Sequence, residues 1–262
     1  MSLTTLTVER TANGVVRLRL NRPEKRNAQT PEMWRELRET GVELIDDRSV
    51  RVVLLSGNGP GFSAGIDLGV LLGAATGSGA ALPSDVEPIQ QAFTWLRDAP
   101  FPTIAAVHGF ALGAGAQLAL ACDLRILADD AVMAFPEINF GILPDLGGCV
   151  WLPELIGSAR AKELIFTGDR FDAHEAHRLG IANRVVPLSQ LEAAAESLAA
   201  TLAAKAPLGI AAAKRAIAAS LASTDAGLRE SAAGVRRCLA SEDFKEAGRA
   251  ALEKRGPIFH GR

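Results

Sequence analysis

The run His108-Gly109-Phe110-Ala111-Leu112-Gly113-Ala114-Gly115-Ala116-Gln117 is the most informative part of this sequence, and it follows the apolar run Thr103 to Val107. The apolar run is typical of a buried strand, and the pattern after Gly113 predicts a helix from Ala114 to Ala121. A glycine-rich turn that leads straight into a helix leaves free N–H groups at the helix start, where they can face an anion. The sequence therefore predicts an α/β fold with an anion-facing turn.

A second glycine-bearing run, Phe62-Ser63-Ala64-Gly65-Ile66-Asp67-Leu68, follows another apolar strand, Arg51 to Leu55. Two such turns can direct two backbone N–H groups at one oxygen. A donor pair of this kind stabilises an enolate or a tetrahedral oxyanion, and the loss of one donor typically costs about 3–4 kcal/mol. We therefore predict the active site between the two runs.

The rest of the first 200 residues repeats the order of strand, loop and helix. Asn13-Gly14 predicts a tight hairpin, and Thr30-Pro31-Glu32 predicts a capped helix start. The predicted strands are Leu3 to Glu9, Val15 to Leu20, Leu124 to Leu127 and Val132 to Phe135, and the further predicted helices are Pro31 to Asp46 and Val86 to Arg97. The small-residue segment Gly73 to Ser84 predicts a mobile loop that covers a ligand.

Strand patterns end before Leu188, and four amphipathic helices are predicted near 188–204, 207–222, 225–239 and 242–254. We place a boundary near residue 200, with an α/β domain over 1–200 and a helical oligomerisation region over 201–262. No apolar run reaches the ~18 residues of a membrane span. The first ten residues match neither a signal nor a transit peptide.

Composition excludes several classes of partner. The 262 residues carry a net charge of −2 with 48% apolar residues, so no broad basic field is available for a nucleic acid or an anionic membrane. Three cysteines without CxxC spacing indicate neither a disulfide framework nor a zinc site. We expect a cytoplasmic, soluble protein without a metal.

Three other interpretations of the motifs have less support than an active site between the two glycine-bearing runs. Gly61 to Gly65 matches the serine-hydrolase elbow Gly-x-Ser-x-Gly, and His174, His177 and His260 follow Ser63 in the order a triad needs, but no strand runs directly into the serine. The second run lacks the third glycine of a dinucleotide fingerprint. His174 and His177 have no evident third metal ligand, which favours a solvated helix face.

Two acids are candidates for proton transfer. Glu137 stands among large apolar residues in Phe135 to Phe140, which would raise its pKa toward a value useful for a base. The alternative is an acid at a helix start. Asp145, in Gly141 to Gly148, is either a second acid or a helix cap.

Taken together, the motifs resemble the crotonase (enoyl-CoA hydratase/isomerase) superfamily over essentially the whole chain. The matching runs are Asn21 to Ala28, Phe62 to Asp67, Gly109 to Asp123, Pro136-Glu137 with Gly141, Asp145 to Gly148, and Glu253 to Phe259. The resemblance implies a crotonase-type spiral of ββα units with a helical C-terminal region. It also implies a homotrimer or dimer of trimers and an acyl-CoA thioester substrate, with coenzyme A as substrate carrier rather than a permanently bound cofactor.

The resemblance also implies roles for single residues. The two oxyanion N–H donors map to Ile66 and Ala114. The coenzyme A contacts map to Lys25, Arg26 and Ala28, to Ala64, Ile66 and Asp67 near the adenine, and to Lys254 and Phe259 in the C-terminal tail. Lysine and arginine can bind phosphate locally while the whole protein stays near neutral.

The family's hydratases use two glutamates, and here the first position is Gln117 while the second, Glu137, is intact. Glutamine cannot exchange a proton at neutral pH. We therefore expect a double-bond isomerase in which Glu137 is the acid and base and Asp145 assists. The alternatives are an enoyl-CoA hydratase in which Gln117 holds the water, and an acyl-CoA-binding or RNA-associated protein without robust catalysis.

Overall fold

The computed structural model describes residues 3–76 and 86–262. The chain opens with an antiparallel hairpin of β1 (Leu6–Arg10) and β2 (Val15–Leu20). Gly14 in its turn has φ of 81°, a conformation that glycine adopts without strain. The predicted hairpin is confirmed, although its first strand begins three residues later than the sequence pattern indicated.

A six-stranded sheet in the order β1-β2-β3-β4-β6-β9 forms the centre of the molecule. Apart from the first hairpin, its neighbouring strands are parallel. The four further strands are β3 (Val52–Gly57), β4 (Thr103–Val107), β6 (Leu124–Ala128) and β9 (Arg184–Val186). In parallel sheets the loops that follow the strands meet at one edge, so the turns after β3 and β4 lie together.

A second, three-stranded sheet joins β5 (Phe110–Leu112), β7 (Val132–Ala134) and β8 (Phe171–Asp172) in that order. Its strand β5 is part of the glycine-rich run, for which the sequence predicts a turn alone. The short strand arises because the Gly109 carbonyl accepts the Val132 N–H and the Ala134 carbonyl accepts the Gly113 N–H. These two hydrogen bonds fix the backbone on either side of β5.

Helices cover both faces of the large sheet. On one face α1 (Pro31–Asp46), α3 (Glu87–Asp98) and α4 (Ala114–Ala121) enclose the main apolar core. On the other face α8 (Leu191–Ala203) covers Leu54, Ile104 and Ile126. The α1 start is as predicted, because the Thr30 side chain accepts the Met33 N–H.

The remaining helices are α2 (Leu68–Thr76), α5 (Gly148–Ile156), α6 (Ser158–Thr167), α7 (Ala173–Leu179), α9 (Pro207–Ala222), α10 (Thr224–Leu239) and α11 (Glu242–Glu253). Of these, α2, α5 and α6 were not predicted from the sequence. The prediction of a loop from Gly73 to Ser84 is wrong over residues 73–76, which complete α2. Residues 77–84 of that prediction lie outside the described residues.

Helices α9 and α10 pack on one another, and Lys214 of α9 joins this pair to the body of the molecule. Its Nζ donates to the Asp123 carboxylate at 2.7 Å and to the carbonyls of Leu96 and Phe101 at 3.0 and 3.1 Å. The four predicted C-terminal helices are confirmed as α8 to α11. The boundary near residue 200 stays a prediction. Within the described ranges, no helix combines the length and apolarity that a bilayer crossing needs.

Candidate active site

The first glycine-bearing run is fixed by Ser63, whose side chain is fully buried. Its Oγ donates to the Asn27 carbonyl at 2.8 Å and accepts the Gly65 N–H at 3.2 Å. A hydroxyl that is buried and bonded in this way supports the backbone and has no access to a substrate. The elbow match at Ser63 therefore does not mark a nucleophile, and no histidine in the described ranges hydrogen-bonds to it.

The two predicted runs are in direct contact. Ser63 donates its N–H to the Phe110 carbonyl and accepts the Leu112 N–H, each at 3.0 Å. A Cβ on Gly65, where φ is 92°, would lie 2.7 Å from the Leu112 oxygen and 3.5 Å from the Ala114 nitrogen. Glycine is required at this position because both its conformation and its close approach exclude a side chain.

The contact places Ile66 and Ala114 in the wall of one cavity. Ala114 is the first residue of α4, so its N–H has no partner inside the helix. Across the described parts of the chain, neither N–H has a hydrogen-bond acceptor. Two free donors that border one cavity have the arrangement expected for an oxyanion hole.

Glu137 lies beside these donors, in the short 3-10 helix Pro136–Phe140 that follows β7. A Cβ on Gly113 would lie 3.3 Å from its Oε1. The side chain is buried, with 6% of its residue surface exposed, and its Oε2 has no hydrogen-bond partner. Burial raises the pKa of this carboxyl, a donated hydrogen bond from Gln117 opposes the rise, and the charge of Asp145 adds to it.

Gln117 connects Glu137 to the start of α5. Its Nε2 donates to Glu137 Oε1 at 2.7 Å, and its Oε1 accepts the Gly148 N–H at 3.0 Å. Gly148 is a contact partner of Gln117 that the sequence pattern did not assign to the site. The adjacent Gly147-Gly148 pair was a usable signal, because a helix that begins with glycine can bring its first N–H groups close to another buried side chain.

Asp145 lines the same cavity and is half-buried, which raises the pKa of its carboxyl. Its carbonyl oxygen accepts Gln90 Nε2 of α3 at 2.8 Å. Helix α5 begins at Gly148 without a side-chain cap, so the cap interpretation of Asp145 is not supported. Asp145 thus lines the cavity that Glu137 also lines.

The cavity holds about 90 Å³ and is lined by predicted site residues together with apolar side chains. The predicted residues are Ala64, Ile66, Ala114, Gln117, Glu137 and Asp145. Its apolar wall is made by Leu68, Leu71, Phe140 and Ile142. A polar end beside an apolar wall suits a ligand with one reactive polar group and a hydrocarbon part.

The predicted phosphate-binding segment lies against the first run. Ala64 donates its N–H to the Arg26 carbonyl at 3.0 Å. Asp67 accepts Arg22 Nη1 at 3.1 Å and the Gly69 N–H at 2.9 Å. Lys25 and Arg26 are exposed and Ala28 is partly exposed, so all three remain accessible to a ligand next to Ala64 and Asp67.

The tail residues Lys254 and Phe259 are not brought to this site within one chain. The Phe259 carbonyl accepts Arg51 Nη2 at the start of β3, whereas the Gly65 run follows the end of that strand. His260 and Gly261 donate their N–H groups to Asp243 of α11, which holds the tail there. A contact between these two residues and a ligand would thus require a neighbouring subunit.

His174 and His177 are both exposed on α7, which is the solvated face that we expected. His177 Nδ1 lies 2.9 Å from the Ala182 carbonyl. Throughout the described ranges, no three acidic, histidine or cysteine side chains are grouped to hold a metal ion.

The sequence matches the family model for enoyl-CoA hydratase/isomerase over residues 10–262. It is 40% identical over 255 residues to a carnitinyl-CoA dehydratase of Citrobacter koseri, and the match covers 95% of each chain. A match of this extent includes both glycine-bearing runs, Glu137 and the C-terminal helices.

Solved structures agree with this assignment. The structure of an enoyl-CoA hydratase from Bacillus anthracis superposes with a TM-score of 0.92 at 33% identity, covering 99% of this chain and 100% of that one. A structure from Thermobifida fusca YX in complex with CoA has a TM-score of 0.81 at 38% identity, covering 90% and 93%. This chain, with its crotonase fold, therefore belongs to the enoyl-CoA hydratase/isomerase family of acyl-CoA enzymes.

Proposed function

We propose that the protein shifts a carbon–carbon double bond in an acyl-CoA thioester by proton transfer through an enolate. The observation that carries this proposal is the position of Glu137, whose Oε2 has no hydrogen-bond partner, in the wall of a cavity that Ile66 and Ala114 also line. A base next to two free donors can remove a proton from carbon while the donors hold the charge that develops on oxygen.

The reaction runs in two proton transfers with no change in composition. The thioester oxygen accepts the N–H groups of Ile66 and Ala114. Glu137 Oε2 takes a proton from C2 of a 3-enoyl group, and the C–H electrons enter a dienolate whose charge rests on that oxygen. The protonated Glu137 then gives its proton to C4, which leaves the double bond between C2 and C3.

Gln117 favours this reaction over the addition of water, because an amide neither takes nor gives a proton at neutral pH. Asp145 is the assisting acid in this proposal, and its place at the cavity wall supports that role. The raised pKa of Glu137 supports it as a group that must both accept and return a proton.

Hydration and dehydration are the second candidate. The relatives named as hydratase and carnitinyl-CoA dehydratase favour this reaction. In this candidate Gln117 holds a water through its second N–H, Glu137 takes a proton from that water as the oxygen bonds to C3, and C2 receives the proton. The same oxyanion donors serve both reactions.

Coenzyme A binding is proposed at Lys25, Arg26 and Ala28, with Ala64, Ile66 and Asp67 near the adenine and Lys254 and Phe259 from the tail. The exposure of Lys25 and Arg26 next to the Ala64 segment supports the first group. The position of the tail at the far end of β3 supports a site shared between subunits of a homotrimer or a dimer of trimers.

Absorbance of the conjugated 2-enoyl thioester separates the candidates. With 3-enoyl-CoA as substrate the absorbance rises if the protein is an isomerase, and with 2-enoyl-CoA it falls if the protein is a hydratase. We expect Glu137→Gln to lower turnover by about 10²–10⁴-fold, while Glu163→Gln on the exposed face of α6 leaves it unchanged. Full activity of Glu137→Gln, or binding without turnover across both substrates, would disprove the proposal.

A further inference from the structure

Gln117 is a buried side chain with both ends of its amide occupied. It is 1% exposed, and it lies between the Gly148 N–H at 3.0 Å and Glu137 Oε1 at 2.7 Å. A backbone N–H can only donate, so the amide oxygen must face Gly148. The amide NH₂ therefore faces the carboxyl group of Glu137.

This orientation makes the two oxygens of Glu137 unequal. If the amide turned over, its NH₂ would face the Gly148 N–H and its oxygen would face the carboxylate, so both hydrogen bonds would become repulsive contacts. Oε1 is thus held as an acceptor, whereas Oε2 has no partner. Oε2 is therefore the oxygen of Glu137 that has no hydrogen bond to lose when a proton binds.

We propose that Gln117 is a positioning residue that is anchored by the Gly148 N–H and reserves Oε2 of Glu137 for proton transfer, so that the Gln117–Glu137 pair contains a single titratable group next to the oxyanion hole. The proposal rests on the function proposed above and adds to it a reason for the choice of reaction. A single proton-carrying group suffices to move a proton between two carbons. Activation of a water in addition is easier with two.

Gly148 gives an independent way to disturb this arrangement. A Cβ added there would lie 2.7 Å from Pro144 Cβ and 3.2 Å from Gln117 Oε1. Pro144, the Gln117 amide or the start of α5 must then move. Gly148→Ala leaves Glu137 chemically unchanged, so any effect on Glu137 must pass through Gln117, through Pro144 and its neighbour Asp145, or through the α5 start.

The other titratable groups whose charges interact with Glu137 are Asp145 on the preceding loop and Cys149 on α5. The charge of Asp145 raises the pKa of Glu137, and Glu137 and Asp145 both raise the pKa of Cys149. Asp145→Asn and Cys149→Ser in the background of each variant remove these two contributions. A shift of the Glu137 midpoint that persists in these backgrounds is the effect of Gln117.

The test compares Gln117→Met, Gly148→Ala and the double variant by the pH dependence of kcat/KM and by ¹³C NMR titration of the Glu137 carboxyl carbon, assigned from its loss in Glu137→Gln. We expect each single variant to move the acid limb and the NMR midpoint up by about one to two pH units, the shift for one lost hydrogen bond to a charged group. The double variant is expected to move them no further than Gln117→Met does.

The matched control is Gln29→Met, another buried glutamine whose amide is bonded at both ends, to Trp34 Nε1 at 2.9 Å and Ser63 Oγ at 3.5 Å. It is expected to lower stability and leave the Glu137 midpoint in place. The NMR titration needs no turnover, so it reports on Gln117 even if the proposed reaction fails. Unchanged midpoints in folded Gln117→Met and Gly148→Ala would overturn the inference.

Gln117→Glu tests the choice of reaction. The new carboxylate keeps the Gly148 N–H as its donor and brings two acids within hydrogen-bond distance, so they share one proton and titrate as a pair. We expect the hydration of 2-enoyl-CoA to rise relative to isomerisation by at least tenfold. An unchanged ratio in a folded variant whose carboxyls titrate as a pair would contradict the selection role of Gln117.

Discussion

At the scale of single residues, the site depends on Glu137, a buried carboxyl group of which only one oxygen has a hydrogen-bond partner. Glu137 has one oxygen bonded to Gln117 and one without a partner. Its apolar setting was predictable, because Phe135 and Phe140 flank it in the sequence. The orientation of Gln117 was not, because its acceptor contact is with Gly148, 31 positions further along the chain.

The raised pKa of Glu137 predicts how stability depends on pH. Because the pKa is higher in the folded than in the unfolded chain, the stability that the protonated carboxyl contributes is fully present below the unfolded pKa and is lost as the pH rises through the folded one. Urea unfolding from pH 4 upward should therefore show wild type losing stability relative to Glu137→Gln. A constant difference across the range would mean that burial does not shift this group.

At the scale of elements, most strands and helices follow from sequence periodicity, and the misses have physical reasons. β5 has three residues and is formed by bonds to β7, which no local pattern reports. Residues 73–76 form the end of α2. The sequence predicts a loop there, because a run of small residues does not define an apolar face. The contact between the two glycine-bearing runs is a tertiary feature.

The approach of the two runs is tested by Gly65→Ala. The added Cβ would lie 2.7 Å from the Leu112 oxygen at a φ of 92°, so the Ile66 N–H moves away from the Ala114 N–H. We expect kcat to fall by about 10²–10³-fold, the effect of losing one oxyanion donor. Gly157→Ala, with φ of 80° and no atom within 4 Å, carries similar backbone strain and should keep kcat. Equal kcat in both variants would argue against the donor pair.

Helix α4, which presents one donor at its start, is fixed at its other end by Arg125. This guanidinium is 3% exposed and donates to the carbonyls of Ala119, Cys122 and Ile181. We expect Arg125→Met to lower the free energy of unfolding by about 2–4 kcal/mol, because several buried acceptors lose their donor. Arg178→Met on the surface of α7 is the control and should change little. A small loss of unfolding free energy in both variants would mean that water satisfies the buried carbonyl groups in place of the guanidinium.

At the scale of the whole molecule, the sequence predicted four C-terminal helices but not how they meet the body. Lys214 supplies that connection through Asp123, Leu96 and Phe101, which are distant in sequence. Helix α8 packs on the large sheet, and helices α9 to α11 leave several large apolar side chains exposed. These are Ile217, Leu221, Leu228, Val235, Leu239, Phe244 and Leu252.

We expect these side chains to lie between subunits. Light scattering should give a native mass three or six times 27.5 kDa, and Leu228→Glu should lower it by placing a charge in an apolar interface. Val42→Glu, at a similarly exposed apolar residue of α1, serves as the control. A monomer at micromolar concentration would refute the proposed trimer and leave Lys254 and Phe259 without a neighbouring site.

The central claim, that Glu137 moves a proton between C2 and C4 of an acyl-CoA thioester, is tested most directly by solvent deuterium. Wild type and Glu137→Gln are each incubated with 3-enoyl-CoA in deuterated water until the mixture of double-bond isomers is constant, and the label is located by NMR. Protonated Glu137 exchanges its proton with solvent deuterium while the dienolate is bound, so the account predicts deuterium at C2 and C4 with wild type and labelling at least 10²-fold slower with Glu137→Gln. Recovery of unchanged, unlabelled 3-enoyl-CoA with wild type, or equal rates of labelling by the two proteins, would contradict it.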